Sequence, residues 1–345
     1  MCSLSTATDT RRLHLVTELA RGRPIKFPRY EGACRMNGGK NDFEAWQLDV
    51  SGGSKIPFDV YRPLLPGPPS SPGVVLLHST GSSRKCSVVR EEAVAYANRG
   101  YVAICPDMVM HGERGDGKHA YFDALIESYK EGGARSRPYV FDMAYECLGL
   151  LDFIFSGELG EIDARRIGIS GVSLGGTVAC LVAAAEPRVA CCVPTIGVQS
   201  YGWALKHGKW QGRVDSLPEG LFQAAREKMG RAEVDAVVVR DVWDVLVPGL
   251  ASSFDAEHTL GLIAPRPLLV LNGEDDARCP IEGVHMAVQE ASRAYAELGA
   301  PENLALSVAS GVAHARTADM ATEAWEWMDK HLLMPQPPSA GKIKY

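Results

Sequence analysis

The residues of this chain whose types and spacing suit chemistry converge on one serine. Gly171-Val172-Ser173-Leu174-Gly175-Gly176 lies between the apolar run Ile167 to Ser170, which reads as a short strand, and the small-residue stretch Ala179 to Ala185, which reads as a helix. A serine on so tight a strand-to-helix turn takes a strained backbone, and glycines two before and two after it remove Cβ atoms that would collide there. The turn lifts the hydroxyl above the sheet, and the helix start directs N–H groups and a positive dipole end at an oxyanion formed beside it. A serine hydroxyl is a weak nucleophile at neutral pH, so it needs a base within reach and a group that orients the base. After the apolar run Pro267 to Leu271 comes the acidic turn Asn272-Gly273-Glu274-Asp275-Asp276-Ala277-Arg278-Cys279-Pro280, and after Leu304 to Val308 comes Gly311-Val312-Ala313-His314. Serine, acid and histidine thus follow three strands in an order suited to acyl transfer. The competing readings are a structural turn for the serine, a helix cap for Glu274 or Asp275, and a buried hydrogen-bonded histidine for His314.

An oxyanion needs a donor from the residue after the nucleophile, Leu174, and a second from the loop after the third strand, where His78-Ser79-Thr80-Gly81-Ser82-Ser83 offers the Thr80 N–H. His78 reads as a brace, and the turn His111-Gly112-Glu113-Arg114 reads either as part of the lining of an acyl or alcohol pocket or, the favoured reading, as a loop steadied by Arg114 pairing with a carboxylate.

These turns require a frame of strands and helices. Phe43 to Val50 and Lys55 to Arg62 read as strands, and the prolines within Pro63 to Gly73 end the second. An apolar run at Val74 to Leu77, a helical stretch from Val88 to Ala97 stopped by Gly100, and another apolar run at Tyr101 to Cys105 spell strand, helix, strand, the grammar of a parallel sheet. It continues with helical spacing at Phe141, Ala144, Tyr145, Leu148, Leu151 and Phe153, a strand over Val189 to Ile196, a helix over Val284 to Leu298 and a closing helix over Ala318 to Leu333. No repeat period emerges. The spacing predicts an α/β, doubly wound, mostly parallel sheet with an antiparallel start. Residues 1–40 form an N-terminal helix and lead-in, 41–198 and 260–334 the core, 199–259 a helical insertion, and 335–345 a tail. The insertion holds Tyr201, Trp203, Trp210, Phe222, Trp243 and Phe254, and reads either as a lid over a pocket or as helices that extend the core.

Composition narrows the partners. With 345 residues, 46% hydrophobic and 23% charged, and a net charge of -6, the chain offers a large core and no polycation for nucleic acid or an acidic membrane. Nine scattered cysteines show no disulfide framework or zinc spacing, which points to a reducing compartment. No apolar stretch is long enough for a membrane span or signal h-region, so a cytoplasmic location is expected, with an organelle transit peptide left open. The competing reading of the N-terminus is a helix packed through Leu13, Leu15, Val16 and Leu19. No cofactor or metal is expected, and the partner is a small-molecule ester.

Over roughly Lys55 to Leu333 the chain resembles the α/β-hydrolase superfamily, and within it the dienelactone-hydrolase and acetyl-xylan-esterase-like branch. The resemblance rests on the His78 to Gly81 loop, the His111 to Arg114 turn, the run Ile162 to Gly168 entering the serine turn, and the acid and histidine turns. Pro194 to Gln199 and Val247 to Ser252 also resemble an uncharacterised plant-type subgroup. It implies a serine esterase with Ser173 as nucleophile, His314 as base, Thr80 and Leu174 as oxyanion donors, and Asp276 as the acid, placed three after Gly273 and four before Pro280 as such families have it. The usual His-Gly-x-Gly loop is altered, with Ser79 in place of the first glycine. An amide or small peptide substrate, or ligand sensing by a retained triad, are the rival functions.

Overall fold

Alternation along the central strands decides which side chains enter which of two cores, and so requires helices on both faces of the sheet. The computed structural model of the protein describes residues 2–19, 30–35, 43–50, 54–63, 70–115, 119–132 and 140–333. Its strands are β1 Tyr30–Arg35, β2 Glu44–Val50, β3 Ser54–Tyr61, β4 Ser71–Leu77, β5 Val102–Pro106, β6 Ile162–Val172, β7 Cys191–Thr195, β8 Leu268–Gly273 and β9 Leu304–Ala309. Its helices are α1 Cys2–Leu19, α2 Ser87–Asn98, α3 Ala120–Lys130, α4 Val140–Ser156, α5 Leu174–Ala185, α6 Tyr201–Lys206, α7 Gln211–Val214, α8 Glu219–Lys228, α9 Ala236–Leu246, α10 Ala256–Thr259, α11 Ile281–Glu297 and α12 Ala318–Met328.

The strands form one sheet in the order β1-β2-β3-β5-β4-β6-β7-β8-β9. The pairings β1/β2, β2/β3 and β3/β5 are antiparallel, and every pairing from β5 across to β9 is parallel. This is the α/β-hydrolase type of sheet expected above. Val75 and Leu77 of β4, Val102 and Ile104 of β5, and Leu268 and Val270 of β8 point into one core with α1, α4, α5 and α11. Val74, Leu76, Ala103, Cys105, Leu269 and Leu271, the intervening residues, point into the other with α2 and α12. Cys191 and Cys192 of β7 divide the same way, so they pack as small core residues on opposite faces.

Three differences from the sequence-based expectation have physical reasons. The sheet begins before residue 41: Cys34 pairs with Gln47 across β1/β2, and β1, short and glycine-containing, gives little strand signal. A helix, α3, lies where no element was read, although its buried Tyr121, Leu125 and Tyr129 recur every fourth residue. In α1, Leu15, Val16 and Leu19 are buried while Leu13 is 50% exposed, so Leu13 leaves the apolar stripe. Arg12 secures the helix to the body by donating to the carbonyls of Ala184 and Leu262. The expected tail at 335–345 lies outside the described residues.

Between β7 and β8 the chain forms α6 to α10. Phe222, Val238, Val242, Trp243 and Leu246 from this stretch are buried in the same core as α4 and α5. The segment therefore extends the hydrophobic interior. Among the described residues no helix is long and apolar enough to cross a membrane.

Candidate active site

β4 and β6 are neighbours, and from them the chain runs outward to β5 on one side and to β7, β8 and β9 on the other. Open parallel sheets place their ligand crevice at the carboxyl ends of strands where the order reverses in this way. Ser173 follows β6 at that point, with φ 55 and ψ -114. A non-glycine residue in this region is strained and is held by its surroundings. Here the hold comes from the Ser173 N–H to the Thr195 carbonyl at 2.9 Å and from the Thr177 N–H to the Ser173 carbonyl at 3.0 Å.

The glycines around the serine act through contact. A Cβ on Gly171 would lie 2.4 Å from the Gly175 carbonyl, and one on Gly175 would lie 2.3 Å from the Leu77 carbonyl oxygen and 2.7 Å from that of His78. The second contact shows that the loop after β4 rests on the first turn of α5. Gly175→Ala is therefore expected to destabilise the fold by about 1–3 kcal/mol through overpacking against backbone, read as a lowered urea or thermal midpoint. An unchanged midpoint would mean that α5 and β4 separate without cost.

α5 starts at Leu174, immediately after the serine and earlier than the sequence pattern suggested. As the first helical residue Leu174 has an N–H that the helix does not use. Thr80 is the second residue of a turn closed by the Ser82 N–H on the Ser79 carbonyl, with Gly81 at φ +68. Ser79 is not among the residues of positive φ, so the serine that stands where the resembling families carry glycine sits in ordinary backbone.

The acid and base turns are laced together. Glu274 accepts hydrogen bonds from the Ser310 hydroxyl and the Gly311 N–H, while the Asp275 N–H donates to the Val312 carbonyl. Neither carboxylate caps a helix, and Pro280 takes the N-cap position of α11, which corrects the capping alternative. Asp276, 2% exposed, accepts the N–H groups of Arg278 and Cys279 on Oδ1. Its Oδ2 lies 2.7 Å from His314 Nδ1, and His314 Nε2 lies 2.8 Å from Ser173 Oγ. The structure thus joins the three predicted residues in one chain of hydrogen bonds, with the histidine side chain 13% exposed. Such a chain is able to take a proton from the serine and stabilise the resulting imidazolium.

Cys279 Sγ, Asp276 and His314 also lie within 4.8 Å of one another, a spacing that suits a metal ion. The chemistry of the donors fits poorly. Burial pushes the thiol well up from its ordinary range, Sγ donates to the Ile196 carbonyl, and both imidazole nitrogens face Asp276 and Ser173.

A buried charged network, absent from the sequence reading, fixes the loop that carries Thr80. Arg84, its side chain 4% exposed, donates from Nε to Asp59 of β3 at 3.0 Å, from Nη1 to Asp107, and from its N–H to Asp107 Oδ1 at 2.8 Å. Asp107 also accepts the Glu113 N–H, and a Cβ on Gly112 would overlap its carboxyl group. Arg114 pairs with Glu146 at 2.6 Å and bonds the Ser54 hydroxyl, which is the brace expected of it. The available signal for Arg84 was a charged residue directly after a candidate oxyanion loop.

His78 braces the same loop. Its Nδ1 donates to the Ser79 carbonyl at 2.9 Å and its Nε2 accepts the Met108 N–H at 3.0 Å, an arrangement open only to the neutral ring. Burial, with His111 beside it, pushes its pKa from 6.5 down to about 4. The unfolded chain then takes up a proton that the folded chain refuses. Stability attributable to His78 is full above about 6.5 and falls as pH drops toward about 4, by at most ~3 kcal/mol. The thermal midpoint should decline across that window and the decline should flatten in His78→Gln; an equal decline in the variant would assign it to other groups.

Comparison with known proteins agrees with this architecture. Residues 60–205 match the Dienelactone hydrolase family. YtaP of Bacillus subtilis (strain 168), provisionally named a hydrolase, is 28% identical over 304 residues, which cover 85% of this chain and 89% of that protein. The 4-O-methyl-glucuronoyl methylesterase 1 of Sodiomyces alcalophilus is 25% identical over 64% of this chain, but over only 42% of its own length. Acetyl xylan esterase 1 from Thermoanaerobacterium sp. JW/SL YS485 superposes with a TM-score of 0.62 at 15% identity, covering 94% of this chain and 93% of that one. At that identity the likeness speaks for the fold.

Proposed function

We propose, for a chain that carries a dienelactone hydrolase family domain on an α/β-hydrolase fold, the hydrolysis of a carboxylic ester through an acyl-enzyme on Ser173. The observation that carries this reading is the unbroken hydrogen-bonded series from Ser173 Oγ through His314 to Asp276. In the first half-reaction His314 Nε2 takes the serine proton as Oγ adds to the ester carbonyl, and Asp276 holds the imidazole tautomer and balances its charge. The Leu174 and Thr80 N–H groups are the proposed oxyanion donors. His314 then protonates the leaving alkoxide, and in the second half-reaction it deprotonates the water that releases the acid.

The helical segment 199–259 is proposed as the lid of this site as well as part of the core. Gly212 of α7 approaches the backbone of Ala277, next to the acid, so closely that a Cβ would lie 2.4 Å from that carbonyl oxygen, and the Ser200 hydroxyl donates to the Gly283 carbonyl. These contacts bring the segment against the acid turn, which supports the lid reading.

The test pairs labelling with turnover. A fluorophosphonate probe should modify Ser173, located by mass spectrometry, and the same preparation should hydrolyse a small aryl acetate faster than the matching anilide. Labelling elsewhere would reassign the nucleophile. Labelling without any turnover would favour a sensing protein, and preference for the anilide would favour an amidase.

A further inference from the structure

The segment that carries His314 is a strap with an anchor at each end. It leaves β9, the edge strand, and β8, β7 and β6 stand between β9 and β4. Its start is fastened to the acid turn, where Glu274 accepts the Ser310 hydroxyl and the Gly311 N–H. Its middle is a three-residue turn around His314, closed by the Ala315 N–H on the Ala313 carbonyl at 2.7 Å. Its far end reaches across the carboxyl ends of the strands to α2, where Arg316 Nη2 lies 2.5 Å from Glu92 Oε1. α2 packs on β4 and β5, on the side of β6 away from the acid turn.

Glu92 stands where an apolar residue would be expected. It is 7% exposed, on the face of α2 that also buries Val89, Ala93, Tyr96 and Ala97. Burial pushes its carboxyl up from the ordinary range, and the Arg316 guanidinium works against that rise. Glutamate is almost never so deeply buried without a partner. A buried ion pair gains little stability over apolar residues of similar size, so stability alone is a poor account of this one. What the pair adds is direction. Apolar side chains slide past one another at small cost, whereas parting these two groups would leave charges unpaired away from water, so the end of the strap stays where Glu92 is. α2 is itself fixed at its start, since it follows directly on the loop that Arg84 holds to Asp59 and Asp107. Arg316 lies two residues beyond His314, so a shift of this anchor moves the imidazole with it.

We propose that Glu92 and Arg316 are positioning residues for His314: their bond ties the far end of the strap to α2 and so sets where the imidazole stands against Ser173. The proposal rests on the ester-hydrolase reading above. Neither residue touches substrate or takes part in the proton transfers.

The experiment measures kcat and KM on a small aryl acetate, with thermal melts, for the wild-type protein, for Arg316→Lys, and for the double variant Glu92→Met with Arg316→Met, which removes both charges and keeps long side chains. The double variant should melt near the wild type, because no unpaired charge stays buried. Its kcat should fall by about 10- to 100-fold, the effect of a misplaced catalytic group. KM should hold within about twofold, because His314 serves both half-reactions and slows them alike. Labelling of Ser173 by the fluorophosphonate probe should slow by a similar factor. Arg316→Lys, which keeps a cation for Glu92, should recover most of kcat. A folded double variant with kcat within about twofold of wild type overturns the proposal. So does a loss confined to KM, or an Arg316→Lys variant as slow as the double one. A crystal structure of the phosphonylated wild-type protein needs no variant to fold: Arg316 and Glu92 should remain paired in it, and a separated pair overturns the proposal. Wild-type protein that neither labels at Ser173 nor turns over the aryl acetate would instead remove the ester-hydrolase reading, and this proposal with it.

Discussion

Ser173→Ala is expected to lower kcat/KM on a small aryl acetate by at least about 1000-fold while the protein stays folded. In the proposed mechanism the hydroxyl oxygen is the atom that bonds carbon, and its proton is the one that His314 Nε2, 2.8 Å away, would collect. The fold should tolerate the change because alanine keeps the Cβ that serine already carries at φ 55, and no hydrogen bond to the backbone depends on Oγ as a cap. What rate remains would come from the oxyanion donors and from binding. Steady-state kinetics with a circular dichroism melt beside it decide the matter; undiminished turnover by a folded variant would move the nucleophile elsewhere.

Asp276→Asn should lower kcat by about 10⁴-fold, for a reason visible in its contacts. Oδ1 accepts the N–H groups of Arg278 and Cys279, so the amide oxygen of an asparagine would take that place and its NH₂ would face His314 Nδ1. A donor there favours the tautomer with hydrogen on Nε2, which is unable to receive the serine proton. The loss should therefore appear in kcat more than in KM. A loss under tenfold would show that the imidazole finds its tautomer without this carboxylate.

The three residues of the hydrogen-bonded series were legible because each follows a strand that is apolar enough to recognise, and the carboxyl ends of parallel strands meet at one edge. Ser173, Asp276 and His314 needed only the order of strands to be brought together. The proposed donor Thr80 was harder to place, since Ser79 stands where similar families carry glycine; the backbone at Ser79 is ordinary. Arg84, Asp59 and Asp107 were out of reach for a different reason: charged residues are buried as a set, and the set joins β3 to two loops distant in sequence. The helix α3 was missed although its spacing was present, whereas β1 carries too little apolar alternation to announce a strand. The insertion showed its aromatics in the sequence but not which way they faced, and Phe222 and Trp243 proved to be interior.

The grip of Glu274 on Ser310 and Gly311 has a dynamic counterpart. Two turns fastened in this way drift together, so the contact between carboxylate and imidazole rides out thermal motion almost unchanged. Whatever slack the site possesses is then expected in a single gap, the one between Ser173 Oγ and His314 Nε2.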